Sequence, residues 1–228
     1  HRTFLALVLL AVLVVAMGCD LSVGQSTLDP KGDVAENQKN LFLFVFWIAV
    51  AIFVVMFGAL AYILVRFRTK PGSEDMIPAQ THGNTTLEIG WTILPAILVI
   101  AITIPTIRGI SGTYDPPASY SATPEMTVEV VGHQWWWEYK YLNASGEVDF
   151  VTANEMHIPL DTVIRLDLRS ADVIHSFSIP KLAGTRDAVP GRENRSWFIA
   201  REAGRYEGQC KELCGLSHAL MRTIVFAE

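Results

Sequence analysis

Cysteine is scarce: Cys19, Cys210 and Cys214 are the only three in 228 residues. So few cannot build the multi-bridge scaffold of a small secreted domain. No Cys-x-x-Cys-His occurs, which excludes a covalently attached c-type haem. Charge is also thin, at 18% of residues against 50% hydrophobic, too little for a wholly soluble chain. A basic excess is missing, since the net charge is −5, and the chain is not built for nucleic acid. There are no internal repeats and no low-complexity tracts, so a solenoid is excluded.

What is present is unevenly spread. Apolar residues concentrate before residue 109, which describes a membrane-anchored protein with one soluble domain. Acidic and basic residues balance seven against seven up to residue 108, so the later part carries all the net negative charge. Such a domain suits a basic protein partner steered by long-range attraction. On charge alone, ordinary solubility is the simpler explanation.

Three apolar runs stand out. Phe4–Met17 is short for a membrane span, and residues 1–18 have the build of a signal-peptide core or of an extra helix. Gly18-Cys19 resembles a bacterial lipoprotein cleavage site, which would lipidate Cys19. Leu41–Val65 predicts a spanning helix over 41–66, and Ile89–Ile107 predicts another over 88–108 with Pro95 and Pro105 inside it. Arg66, Arg68 and Lys70 mark the loop 67–87 as cytoplasmic. The segment 19–40, with Asp20, Asp29, Asp33 and Glu36, then lies outside, as does everything after 108.

A linker over 109–124 follows, its Gly112–Pro124 stretch rich in Gly, Ser and Pro. Period-two alternation then begins with Met126, Val128 and Val130 on one face. It returns over 163–169, and strand-like runs recur at 174–179, 195–201 and 223–227. Short strands split by turn residues predict an antiparallel sandwich or barrel over 125–228.

The chemistry concentrates in Cys210-Lys-Glu212-Leu-Cys214-Gly-Leu-Ser-His218-Ala-Leu-Met221. Soft sulfur with imidazole favours copper. A thiolate can bridge two metal ions, so two cysteines can hold a pair of coppers close together. Each copper then needs a nitrogen ligand. His218 supplies one, and His175, in Asp172-Val-Ile-His175-Ser-Phe, is the best candidate for the other. A Cys210–Cys214 disulfide is the competing reading in an oxidising compartment, though it leaves the nearby His and Met unexplained. Zinc competes less well, because Met is a poor zinc ligand and structural sites want four Cys or His.

This string resembles the CuA motif of cytochrome c oxidase subunit II. Trp91-Thr-Ile-Leu-Pro95-Ala, Gly132-His-Gln-Trp135-Trp-Trp137, Asp172-Val-Ile-His175-Ser-Phe and Asp187-Ala-Val-Pro190-Gly-Arg192 follow that family's order. The resemblance covers nearly all of 41–227. It implies a transmembrane helical hairpin, with a further N-terminal helix if the first run is retained, followed by a cupredoxin-like antiparallel β-sandwich. Cys210 and Cys214 would bridge two copper ions, with His175 and His218 as terminal ligands. Met221 and the carbonyl of Glu212 would be weak axial ligands, and the Glu212 side chain would help hold magnesium at the interface with subunit I. Trp135 would receive electrons from a cytochrome c, and Glu88 would sit at the entrance of a proton channel. The chain would relay electrons to the haem of subunit I, which reduces oxygen to water and pumps protons, with subunit III alongside in the bacterial plasma membrane. Lys211, Ser178 and Thr185-Arg186 depart from the family's pattern, and none of them is a metal ligand.

On residues alone, Trp135 and Trp137 would share one face of a strand and Trp136 the other. Glu138, Glu147, Asp149 and Asp187 are candidates for an acidic rim around the docking point. Glu88 equally suits the first turn of a helix. His82 reads as loop, and His133 and His157 as packed or hydrogen-bonded strand residues. Three other classes remain to be separated. A quinol oxidase subunit would lack the copper ligands, nitrous oxide reductase is soluble and much larger, and a copper carrier would hold a single ion.

Overall fold

In a computed structural model, residues 24–69, 72, 77, 80 and 82–228 are described. The first apolar run and Cys19 lie outside them. Contacts divide the chain into two bodies. One is a β-domain of residues 111–228 with the segment that ends at Lys39; the other is helical, over Asn40–Ile110.

Helix α1 spans Asp33–Arg66 and helix α2 spans Thr85–Ser111. Acids in the first turn and an arginine in the last complement the helix dipole in each, with Asp33, Glu36 and Arg66 in α1 and Glu88 and Arg108 in α2. Both are long and apolar enough to cross a membrane. At about 1.5 Å per residue α1 is roughly 50 Å long, well beyond a ~30 Å hydrocarbon core, which is why it starts eight residues ahead of the apolar run. Asn84 caps α2, its Oδ1 accepting the Leu87 N–H at 3.2 Å. The hydroxyls of Thr92, Thr103 and Thr106 donate to the carbonyls of Glu88, Val99 and Ile102 at 2.7–2.8 Å, so none is left facing lipid unpaired.

The β-domain is a sandwich of ten strands among the described residues. These are β1 Glu125–His133, β2 Trp136–Leu142, β3 Val148–Ala153, β4 Glu155–Ile158, β5 Val163–Ser170, β6 His175–Ile179, β7 Gly184–Ala188, β8 Asn194–Phe198, β9 Gly204–Gln209 and β10 Arg222–Ala227. One sheet has the order β3-β2-β1-β5-β8, and opposite it lie β4-β10-β9 and the β6-β7 pair. The pairing is mixed rather than wholly antiparallel: β1 runs parallel to β5 and β4 parallel to β10. Each parallel partner is reached by a long connection through other strands, which short-range alternation cannot reveal.

Alternation fills the core. Val128 and Val130, Trp137, Tyr139 and Tyr141, and Ile164, Leu166 and Leu168 point inward from β1, β2 and β5. They meet Met156, Ile158, Phe177, Ile179 and Val225 from the other side. Each large apolar side chain buried this way contributes about 1.5–3 kcal/mol. Outward residues of the same strands pair by charge, as in Lys140–Glu129 at 2.9 Å.

The segment before α1 is part of this domain. The Lys31 N–H donates to the Lys181 carbonyl at 2.7 Å, and the Arg201 N–H donates to the Lys31 carbonyl at 2.9 Å. Asp33 accepts from Arg201 Nε at 2.7 Å and from the Tyr120 hydroxyl at 2.8 Å. The Arg201 guanidinium holds the Asp33 carboxyl below its usual range, against the opposing effect of burial. The expected linker is likewise pinned, because the Trp197 indole donates to the Gly112 carbonyl at 2.8 Å and Tyr120 packs on Trp197.

Candidate metal centre

Two distant stretches of chain meet at one end of the sandwich. His175 opens β6, and the chain from the end of β9 to the start of β10 carries Cys210, Glu212, Cys214, His218 and Met221. The Cys210 N–H donates to the Met221 carbonyl at 2.9 Å and closes this loop at its base. The Lys211 N–H donates to the Ser176 carbonyl at 2.9 Å and ties the loop to β6. Gly208 allows β9 to press against β6, because a side chain there would strike the Ser178 carbonyl. Gly132 makes room for the His175 ring itself: a Cβ at 132 would stand 2.7 Å from His175 Cδ2.

All six expected ligand residues converge. Cys210 and Cys214 are buried free thiols with Sγ atoms 3.8 Å apart, far beyond the roughly 2.05 Å of a disulfide. His175 Nδ1 faces Cys210 Sγ at 3.9 Å, and His218 Nδ1 faces Cys214 Sγ at 3.6 Å. Met221 Sδ lies 3.8 Å from Cys214 Sγ, and the Glu212 carbonyl lies 3.2 Å from Cys210 Sγ. His175, Cys210 and Cys214 by themselves form a buried cluster able to hold a metal ion. The donor set fits soft metals. Two sulfurs at this spacing, an imidazole flanking each and a thioether inside the core are more than a lone zinc needs.

The electrostatics separate the two thiols. Burial pushes both up, but Cys210 also receives hydrogen bonds from His175 and from backbone groups, and falls from 9.0 to about 6. Burial and the neighbouring Cys210 thiolate drive Cys214 up to about 11. Burial disfavours the charged form of His175, but Cys210 and Asp172 outweigh it and raise its pKa. A metal taking both thiolates must therefore displace at least the Cys214 proton.

Trp135 is not on a strand. It sits in the two-residue turn between β1 and β2, so the alternation expected of the three tryptophans fails at its first member. Its ring is half-buried against the core, and its indole N–H donates to the Cys214 carbonyl at 3.2 Å. Trp136 stacks outward on His133, with centroids 4.4 Å apart. Trp137 is fully buried and turns its edge to His175. Of the four acids proposed for a rim, Glu138 is paired with His133 and Lys140, and Glu147 and Asp149 sit at the far end of β2. Asp187 is exposed opposite Ser176, whose hydroxyl donates to it at 2.6 Å. Glu88 is exposed in the first turn of α2 beside Gly83.

Sequence reasoning assigned no role to Asp172, whose Oδ1 accepts from His175 Nε2 at 2.8 Å, or to Gln134. Asn154 was missed as well. At φ 61° its side chain accepts the Trp137 N–H at 2.9 Å. The only available signal for Asp172 was its position three residues before a candidate ligand.

Comparison with known proteins bears directly on this arrangement. The family model of the cytochrome c oxidase subunit II periplasmic domain matches residues 144–227, and that of its transmembrane domain matches 20–108. The probable cytochrome c oxidase subunit 2 of Rickettsia felis is 31% identical, with 95% of this chain and 73% of that protein aligned. The chain belongs to the cytochrome c oxidase subunit II family. Cytochrome c oxidase subunit 2 of Alkalihalophilus pseudofirmus is 39% identical over 90% of this chain, and the chain spans 58% of that relative's length. Quinol oxidase subunit 2 of Bacillus subtilis is also similar, at 34% identity over 94% of this chain and 65% of that one. Subunit II membership makes this a membrane protein, with α1 and α2 within its transmembrane part. The sandwich is the family's cupredoxin-like periplasmic domain.

Proposed function

We propose that this chain accepts single electrons from a cytochrome c and relays them to the haem of a catalytic subunit I that reduces oxygen to water. One observation carries the reading: two unlinked buried thiols 3.8 Å apart, each flanked by an imidazole, with a thioether inside the core. Cys210, Cys214, His175, His218, Met221 and the Glu212 carbonyl would together hold two copper ions. Copper bound there would supply one-electron redox chemistry. The protein's part is rigidity, because β6, β9 and β10 fix the donors and hold back water. Trp135 is the surface contact for the donor haem, and its hydrogen bond to the Cys214 carbonyl gives a short covalent and hydrogen-bonded path inward. This chain makes no bond to oxygen.

The same donor set argues against a quinol oxidase subunit despite that similarity, since a quinol donor needs no such cluster. The exposed Glu212 carboxylate would hold magnesium at the face shared with subunit I, with subunit III completing the assembly. Arg66 and Arg68 orient the hairpin with its loop on the cytoplasmic side. Glu88 would then stand at a proton entrance on that side. Copper analysis and electron-spin spectroscopy of the purified full chain test the central claim. Two coppers per chain with one electron delocalised over both are expected. A single-copper signal would return the chain to the class of copper carriers.

A further inference from the structure

The two ligand stretches are joined by a hydrogen-bonded bridge that contains no ligand. Asp172 Oδ1 accepts from His175 Nε2 at 2.8 Å, and its Oδ2 accepts the Gln134 N–H at 2.7 Å. The side chain of Gln134 continues the bridge, its Nε2 donating to the Cys214 carbonyl at 2.7 Å. The path therefore runs from His175 through Asp172 and Gln134 to Cys214, linking β6 to the loop between β9 and β10. Gly215 permits the last link: at φ +122° it carries no side chain, and a Cβ there would stand 3.0 Å from Gln134 Nε2.

We propose that Asp172 and Gln134 are positioning residues, which aim His175 and set the Cys214 loop before a metal arrives. The proposal takes the purpose of the site from the reading above. A neutral imidazole carries one N–H. A carboxylate at Nε2 holds that proton, so that whenever the ring is neutral its Nδ1 lone pair is the one facing the Cys210 side, where a metal would sit. The ring cannot swing away, because Gly132 lies against one side of it and Trp137 meets it edge-on. Asp172 holds its own place by accepting the Val173 N–H at 2.6 Å. Every group facing its carboxylate is thus a donor, and both oxygens are in use. Asp172→Asn keeps the shape but turns one donor-facing oxygen into a second donor, breaking one arm. Gln134→Met keeps the length of the other arm and removes its donor.

The test uses the full chain in detergent micelles with ¹⁵N-labelled histidine, first metal-free and reduced, then titrated with copper against a competing chelator. In the wild type His175 should keep its Nε2 proton throughout, and wherever the ring is neutral it should show that one tautomer. Asp172→Asn should give mixed tautomers and lose copper affinity by roughly tenfold or more. Gln134→Met should leave the tautomer intact, lose several-fold in affinity and shift the visible spectrum of the loaded site. If Asp172→Asn fails to fold, Gln134→Met carries the test through affinity and spectrum. Unchanged tautomer, affinity and spectrum would overturn the proposal. So would a change confined to KM for the cytochrome donor, which would make these residues part of a docking surface instead. If the wild type bound a single copper while Asp172→Asn still scrambled the tautomer, the bridge would stand and the two-copper reading would fall.

Discussion

The helical body and the β-domain use the same apolar residue types in opposite ways. In α1 and α2 the large side chains between Leu41 and Ile110 face outward: Val54, Leu64, Trp91 and Val99 are all exposed. In the β-domain Val130, Leu166, Phe198 and Val225 are sealed from solvent. The lesson concerns which solvent each body answers to. A lipid-facing helix needs its side chains only to be apolar, since neighbouring hydrocarbon accepts any shape. A closed core packs at crystal-like density and feels the loss of a single methylene. A metal site that needs donors held to a fraction of an ångström therefore belongs in the second body, and all its candidate ligands are there.

The sharpest break of this contrast is at the centre itself. Cys214→Ser should abolish the copper pair, read as loss of two-copper stoichiometry by elemental analysis with the β-domain still folded. Next, Leu166→Ala should lower unfolding stability by about 2–5 kcal/mol, whereas Leu64→Ala in α1 should change it by less than about 1 kcal/mol. Thermal unfolding of both variants in detergent decides, and equal losses would end the distinction between the two bodies. Trp135→Ala should slow electron acceptance by roughly tenfold, equivalent to about 1.4 kcal/mol, with the copper spectrum unchanged. An unaltered stopped-flow rate would remove Trp135 from the path.

Copper loading should also depend on pH. The metal competes with the Cys214 proton up to about pH 11 and with the Cys210 proton only below about pH 6. Affinity should therefore rise steadily from pH 6 to 9, with proton release measurable in weakly buffered solution. The smallest effect is expected at Glu88→Ala, which leaves fold and copper intact and slows proton uptake by the assembled oxidase. Normal uptake would make Glu88 a helix-end acid like Glu36, and would leave the helical body without a sensitive polar position.

Legibility along the chain followed the range of the forces involved. The candidate ligands from Cys210 to Met221 stood out because they lie in twelve consecutive residues, where spacing alone suggests the chemistry. Strands β1, β5, β6, β8 and β10 could be read because their inward positions are apolar. Strands β7 and β9, Gly-Thr-Arg-Asp-Ala and Gly-Arg-Tyr-Glu-Gly-Gln, gave no such signal, because pairing with neighbours rather than composition makes them strands. Asp172 and Gln134 were invisible as a bridge because each acts on a residue brought near only by folding. Trp135 was misplaced because a turn interrupts the alternation.

The sequence alone determined that the chain crosses a membrane, that a β-domain follows, and that two thiols, an imidazole and a thioether lie close together after residue 209. Those are matters of hydropathy, period and spacing, which neighbouring residues carry by themselves. Only the tertiary structure decided that His175 reaches Cys210 from another strand, that the indole of Trp135 bonds the Cys214 carbonyl, and that the segment around Asp33 closes onto Arg201. Those depend on contacts across scores of residues, and the burial free energy of the whole core selects them together.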